Sequence, residues 1–293
     1  MKKSVSVVLL PVVLAFLFSG CGGMDDSNGI VMSLLPTRTY GEYLVGDKNQ
    51  IPFVNNHWSK AGESFMVFVE QDGKYAAVGK VNTIEKEIAK EDQNTFVNIR
   101  FITPKAIDRS RPFNVIAFDK DVEVSLSGNT LVCNAGLKRN INHIPGWYLA
   151  DAKAGTVSSA QGRLLSSYEC VWITNKTGLS IKVKHKGWEN ATHLYYTDAE
   201  VHITSQGEIV STIVGQSSGS DPDSVAKTIE SGNTEFIQSC FVPTGETIID
   251  SVLVLEIDGK TVKTTPITLG QALKNGVPYF CSVEWNGSTL KWN

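Results

Sequence analysis

The chain has 293 residues, 42% of them hydrophobic and 19% charged, with a formal net charge of −3. That length suits two domains of about 100–150 residues, each with a core large enough to fold without staples. With 27 Lys and Arg against 30 Asp and Glu, the surface is mildly acidic and lacks the basic footprint that binding nucleic acid needs.

The first element in chain order is a leader. Lys2 and Lys3 precede an apolar run over residues 5–18 that is interrupted by Ser6 and Pro11. This matches a signal peptide and is too short for a membrane span, which takes about 20 apolar residues. Phe18-Ser19-Gly20-Cys21 resembles a bacterial lipobox, so residues 1–20 are predicted to be removed and Cys21 to be lipidated. Acyl chains contribute about 0.8 kcal/mol per buried CH₂, so two or three of them hold a domain firmly at a membrane. Asp25 and Asp26 are compatible with the acidic export tag of surface lipoproteins. Residues 21–38 then read as a tether and a leading strand: a small, polar stretch over 22–28, an apolar run over 30–35 ended by Pro36, and Arg38-Thr39 in a polar, turn-like setting.

Beyond it, period-two alternation bounded by turn dipeptides predicts an all-β chain. Strand-like runs flank Asp72-Gly73, Gly128-Asn129, Asp258-Gly259 and Asn286-Gly287, each a hairpin signal because such pairs tolerate positive φ. Residues 84–93 and 223–232 are expected to make short helices on the surface. The polar, small-residue stretch over 152–163 is the best linker, which places a boundary near residue 160. Two tandem β-sandwiches over 39–160 and 161–293 are therefore expected.

Chemistry-bearing motifs are scarce. His57, His143, His185, His193 and His202 lack metal-ligand spacing, and ordinary strand histidines compete with a zinc site made from three of them. No catalytic or nucleotide-binding signature occurs, and the carboxylate pairs Glu70/Asp72 and Asp119/Asp121 flank turns, where solvated acids are expected. No catalytic, cofactor-binding or metal residue is assigned. Cys133, Cys170, Cys240 and Cys281 are spaced too widely for a zinc knuckle or a CxxC motif; buried thiols and occasional disulfides both remain open. Trp147, Trp172, Trp188, Tyr195, Tyr196, Trp285 and Trp292 offer either core filling or a platform for stacking sugars.

Five stretches in order resemble the fimbrillin family of Bacteroidales, lipoprotein precursors of pilus subunits. They are WSKAGESFMVFVEQDGKY (58–75), RPFNVIAFDKDVEV (111–124), GWYLADAKAG (146–155), YECVWITNKTGLSIKVKH (168–185) and ITLGQALKNGVPYFCSVEWNGSTLKW (267–292). Leu273, Gly276 and Tyr279 occupy the positions of the family's closing pattern, whereas Thr174-Asn175 and AFDKD depart from its usual forms. The resemblance implies two transthyretin-like β-sandwiches and a non-enzymatic adhesive pilus subunit, exported to the outer membrane on the Cys21 lipid and found in the fimbrium after processing. It implies other fimbrial subunits as partners, in a homo- or hetero-polymer, with host or bacterial glycans as further ligands. An arginine-specific protease would cut between Arg38 and Thr39, removing anchor and leading strand, and a strand of the next subunit would fill the groove. Residues 285–292 would close the second sandwich or be donated. The rival reading is a surface lipoprotein that stays tethered by Cys21 and binds glycan.

Overall fold

The computed structural model describes residues 29–45, 53–55, 57–120, 122–134, 146–153, 156–165, 167–190, 195–204, 208–218, 225–241, 247, 249–270, 272–274 and 276–293. Cys21, His143 and His193 lie outside them. The protein is all-β. Its first half contains β1 (Gly29–Leu35), β2 (Arg38–Tyr40), β3 (Glu42–Val45), β4 (Phe53–Asn55), β5 (Ser64–Gln71), β6 (Lys74–Asn82), β7 (Val97–Ile102), β8 (Phe113–Asp119), β9 (Glu123–Ser127), β10 (Thr130–Asn134) and β11 (Gly146–Lys153). Three two-residue strands follow: β12 (Thr156–Val157), β13 (Ala160–Gln161) and β14 (Arg163–Leu164).

An antiparallel sheet ordered β12-β11-β8-β5-β6 faces a smaller one ordered β13-β1-β7. Alternation decides which side chains meet between them. Ile30, Met32 and Leu34 of β1 interleave with Phe65, Val67, Val69, Val115 and Ala117 of the large sheet in one buried cluster. Trp58 and Phe65 pack edge-to-face at 6.1 Å, and Phe65 meets Tyr148 at 5.5 Å. The β5–β6 turn places Asp72 at φ 54° and Gly73 at φ 76°, the two left-handed residues a tight hairpin requires. The other three turn signals also close hairpins, β9 to β10 and two in the second half.

The second half contains β15 (Ser167–Asn175), β16 (Ile181–Glu189), β17 (Tyr195–Ile203), β18 (Ile209–Ser218), β19 (Lys227–Ile229), β20 (Thr234–Phe241), β21 (Val252–Ile257), β22 (Lys260–Lys263), β23 (Pro278–Trp285) and β24 (Leu290–Trp292). Sheet β20-β15-β23-β24 packs on sheet β19-β16-β21-β22, with Val171, Ile173, Val183, Leu253, Leu255, Cys281 and Val283 between them. A further sheet, β18-β17-β10-β9, joins strands from both halves through the β10–β17 ladder. The N-terminal segment also crosses over: β3 runs parallel to the first part of β23. Gly41 makes that approach feasible, since a Cβ there would lie 2.4 Å from both the Phe280 ring and the Pro278 carbonyl.

Two expectations need correction. Neither expected helix forms. Residues 84–93 make only a 3₁₀ turn at Lys90–Asp92, because Ile88 is buried in the first core and the backbone N–H groups of Ile84 and Ile88 donate to the Asn98 and Lys60 carbonyls. Lys227–Ile229 is a strand whose Ile229 is buried opposite Ile181. In both places a core position and partner backbone outweigh a weak local propensity. Nor is 152–163 a free connector: β12 and β14 add to β11, while β13 runs parallel to β1 with Ala160 buried.

Candidate site at the leading strand and its exit

β1 lies between two neighbours. It pairs antiparallel with β7 over six positions, from Gly29 opposite Ile102 to Leu34 opposite Val97. On its other edge, Leu34 and Leu35 pair in parallel with Ala160 and Gln161. Met32 and Leu34 have no exposed surface and Ile30 has 4%. On the outer face the Ser33 hydroxyl donates to Asn98 Oδ1 at 2.8 Å. β1 is thus a core strand, paired along one edge by β7 and on the other over its last two residues by β13.

The exit of β1 is held by a small cradle. The Gly162 N–H donates to the Leu35 carbonyl at 3.0 Å, and the Gln161 amide donates to the Pro36 carbonyl. Thr37 has no exposed surface, and its hydroxyl is enclosed beside the Tyr148 phenol. Two glycines make room for it: a Cβ on Gly162 would lie 2.5 Å from the Thr37 Oγ1, and one on Gly146 would lie 2.8 Å from the same atom. Asp119, also buried, accepts the Gly146 N–H at 2.6 Å. Beside it, burial and then the Asp119 carboxylate push the Tyr148 hydroxyl well above the usual phenol range.

One residue further on, the chain surfaces. Arg38 is exposed, with its guanidinium 5.8 Å from the Tyr40 ring centre. The turn-like setting expected for Arg38-Thr39 is corrected here: both belong to β2, whose Arg38, Thr39 and Tyr40 pair with Asn55, Val54 and Phe53 of β4. Thr37, Gly146 and Gly162 were missed as site residues, because a small residue carries no sign in its own stretch of the distant side chain that will pack against it.

The remaining candidates are dispersed. Trp147, Trp188 and Trp285 fill cores, while Trp292 stacks on Trp188 at 5.8 Å. Trp172 is half-buried and meets Phe236 at 5.2 Å, with the Lys227 ammonium 5.0 Å from the Phe236 ring centre. Only the backbones of Tyr195 and Tyr196 are described, in β17. His57 is exposed, whereas His185 is buried beside Glu169, with its Nε2 3.4 Å from Glu169 Oε2. Trp188 Nε1 donates to the other oxygen of Glu169 at 2.7 Å. The carboxylate inside the apolar stretch YECVWI was the visible sign of this cluster. Cys133, Cys170 and Cys281 are buried free thiols whose pKa values burial pushes up, while Cys240 is described only as backbone opposite Tyr168.

Two phenols predict the alkaline limit of the fold. Burial, with a smaller contribution from the Glu70 carboxylate, pushes Tyr75 up from 10.0 to about 12, and Tyr148 is raised as well. The unfolded chain releases these protons near pH 10, but the folded chain keeps them, so stability is full below pH 10 and falls as pH rises toward 12. For Tyr75 alone the loss is on the order of 2–3 kcal/mol. Melting temperatures at pH 9 and pH 11 check this, and the Tyr75→Phe variant should lose less on going to the higher pH.

No family model matches the chain, and no curated protein does. Among solved structures, a candidate cell adhesion protein from Bacteroides ovatus matches at 13% identity and a TM-score of 0.49, over 87% of this chain and 94% of that one. A fimbrial assembly protein from Parabacteroides distasonis matches at 11% identity and a TM-score of 0.41, over 90% and 94%. The fimbrial anchor protein Mfa2 from Porphyromonas gingivalis matches at 9% identity and a TM-score of 0.36, over 88% and 95%.

Proposed function

We propose that this chain is a fimbrillin-like structural subunit of a cell-surface pilus, delivered to the outer membrane as a lipoprotein on Cys21 and prepared for assembly by a cut after Arg38. One observation carries the reading. The strand lying N-terminal to an exposed arginine, β1, is also a strand that completes the first core. Hydrolysis adds water across the Arg38–Thr39 bond, leaving a carboxylate on Arg38 and an ammonium on Thr39. The anchor then departs with β1, while the kept segment stays attached through the β2–β4 and β3–β23 ladders.

Loss of β1 bares the β7 edge and the floor that Ile30, Met32 and Leu34 covered. The vacancy fits an extended segment with apolar side chains at alternate positions, antiparallel to β7, drawn from another subunit. A contact between unlike surfaces does not close on itself, so its repetition builds a filament. The protein acts by adhesion and polymerisation and carries out no catalysis. The tethered glycan binder remains as the second reading, favoured by the half-buried Trp172 packed against the exposed Phe236 on the second sandwich.

Treatment of the purified precursor with an arginine-specific protease should produce an SDS-resistant oligomer ladder, and Arg38→Ala should abolish it. A ladder from Arg38→Ala would remove the cut site, and a completed cut without oligomers would favour the tethered reading.

A further inference from the structure

We propose that Thr37 and its two glycines form a latch that shields the Arg38–Thr39 bond, so that processing waits for local release of the β1 exit. The inference rests on reading Arg38 as the processing site and concerns how the cut there is regulated. An endoprotease takes several residues on both sides of the scissile bond as an extended, unpartnered strand in its cleft. Arg38 offers its side chain, but the residues before it are not available: Pro36 and Thr37 are buried, and the Leu35 carbonyl is bonded to Gly162. The residues after it are laddered to β4. An exposed arginine therefore sits on a closed substrate.

The latch is small and weak by construction. Its walls come from two segments, Gly146 at the start of β11 and Gly162 between β13 and β14, which converge on one side chain. It encloses a buried hydroxyl, held between two glycines beside the Tyr148 phenol, with no charged partner among the described residues to lock it shut. Its release needs the Gly162–Leu35 and Gln161–Pro36 hydrogen bonds to break, while the β1–β7 ladder can stay intact. Opening is then a local event, distinct from unfolding of the sandwich. Such a device holds back the cut on a folded subunit until something pulls on the β1 exit, and it keeps the first core complete during export.

Gly162→Ala tests it. A Cβ there meets the Thr37 Oγ1 at 2.5 Å, a Tyr148 ring carbon at 2.8 Å and the Thr37 nitrogen at 2.9 Å, so it forces the latch open. Gly178→Ala is the control, since nothing lies within 4 Å of its added Cβ. The full chain is treated with an arginine-specific protease, and the appearance of a Thr39 N-terminus is followed by mass spectrometry beside a peptide spanning residues 30–46. The native chain should be cut at least about 100-fold more slowly than the peptide, and Gly162→Ala should recover about 10-fold or more of that difference, with Gly178→Ala unchanged. Cutting of the native chain at the peptide's rate, or of a folded Gly162→Ala at the native rate, overturns the latch. Should Gly162→Ala not fold, the urea dependence of native cutting decides: a weak dependence marks local release, and a dependence as steep as global unfolding overturns it. These rates stand apart from the pilus reading, which falls only if a completed cut yields no oligomer.

Discussion

A chain that begins at Thr39 is expected to lose about 5–9 kcal/mol from its N-terminal sandwich. Ile30, Met32 and Leu34 are all buried in the first core, and burial of such a side chain is worth about 1.5–3 kcal/mol. A domain of this size has about 5–15 kcal/mol in hand, so the trimmed sandwich sits at the edge of unfolding unless another strand replaces β1. Trp58 reports on that core, because it packs against Phe65 and Tyr148 and donates to the Thr95 carbonyl. Its fluorescence transition in urea should move to much lower denaturant in the trimmed chain. A peptide with the β1 sequence GIVMSLLP should restore most of the loss, and one with Asp in place of Met should not. A trimmed chain as stable as the full one would show that β1 is dispensable, and the groove would have no role in assembly.

The second large effect lies in the other sandwich. Glu169→Leu should cost about 3–5 kcal/mol, because it leaves the Trp188 indole N–H and the His185 ring nitrogen facing a site from which their carboxylate has gone. Both partners are buried, so water does not reach them cheaply. Replacing all three groups together, with His185→Leu and Trp188→Phe added to Glu169→Leu, should recover much of that loss, since none of the three positions then carries a polar group deprived of the others. Urea midpoints of the single and combined variants check this. A single variant as stable as the parent would mean that the cluster contributes nothing to the fold.

The two legible kinds of feature in this chain are local. Asp72-Gly73 and Asp258-Gly259 announce hairpins because positive φ is a property of those residues, and the structure puts all four of them there. The alternation of Ile30, Met32 and Leu34 announces a strand with one buried face. Where a segment's state depends on a distant partner, local reading fails. Residues 84–93 look helical by composition, but Ile88 belongs to a core whose other members come from elsewhere in the chain. Small residues over 152–163 look like a linker, but β13 and β14 are made strands by β1 and by the start of β11 at Gly146 and Trp147, which are not in that stretch. Arg38 was legible as an arginine after a strand; that it follows a buried threonine was not.

By itself, the amino-acid sequence determined the all-β class, the turns, the faces of the strands and the position of an arginine just after a leading strand. Those properties come from φ preferences and from a period of two, both of which act over a few residues. The tertiary structure alone decided that β3 joins the sheet of the second half, that the end of β1 is paired on both edges, and that Thr37 is enclosed by Gly146 and Gly162. The physical reason is range: each of these requires segments far apart in the chain to meet at van der Waals distance, and what a glycine leaves room for depends on which side chain arrives there.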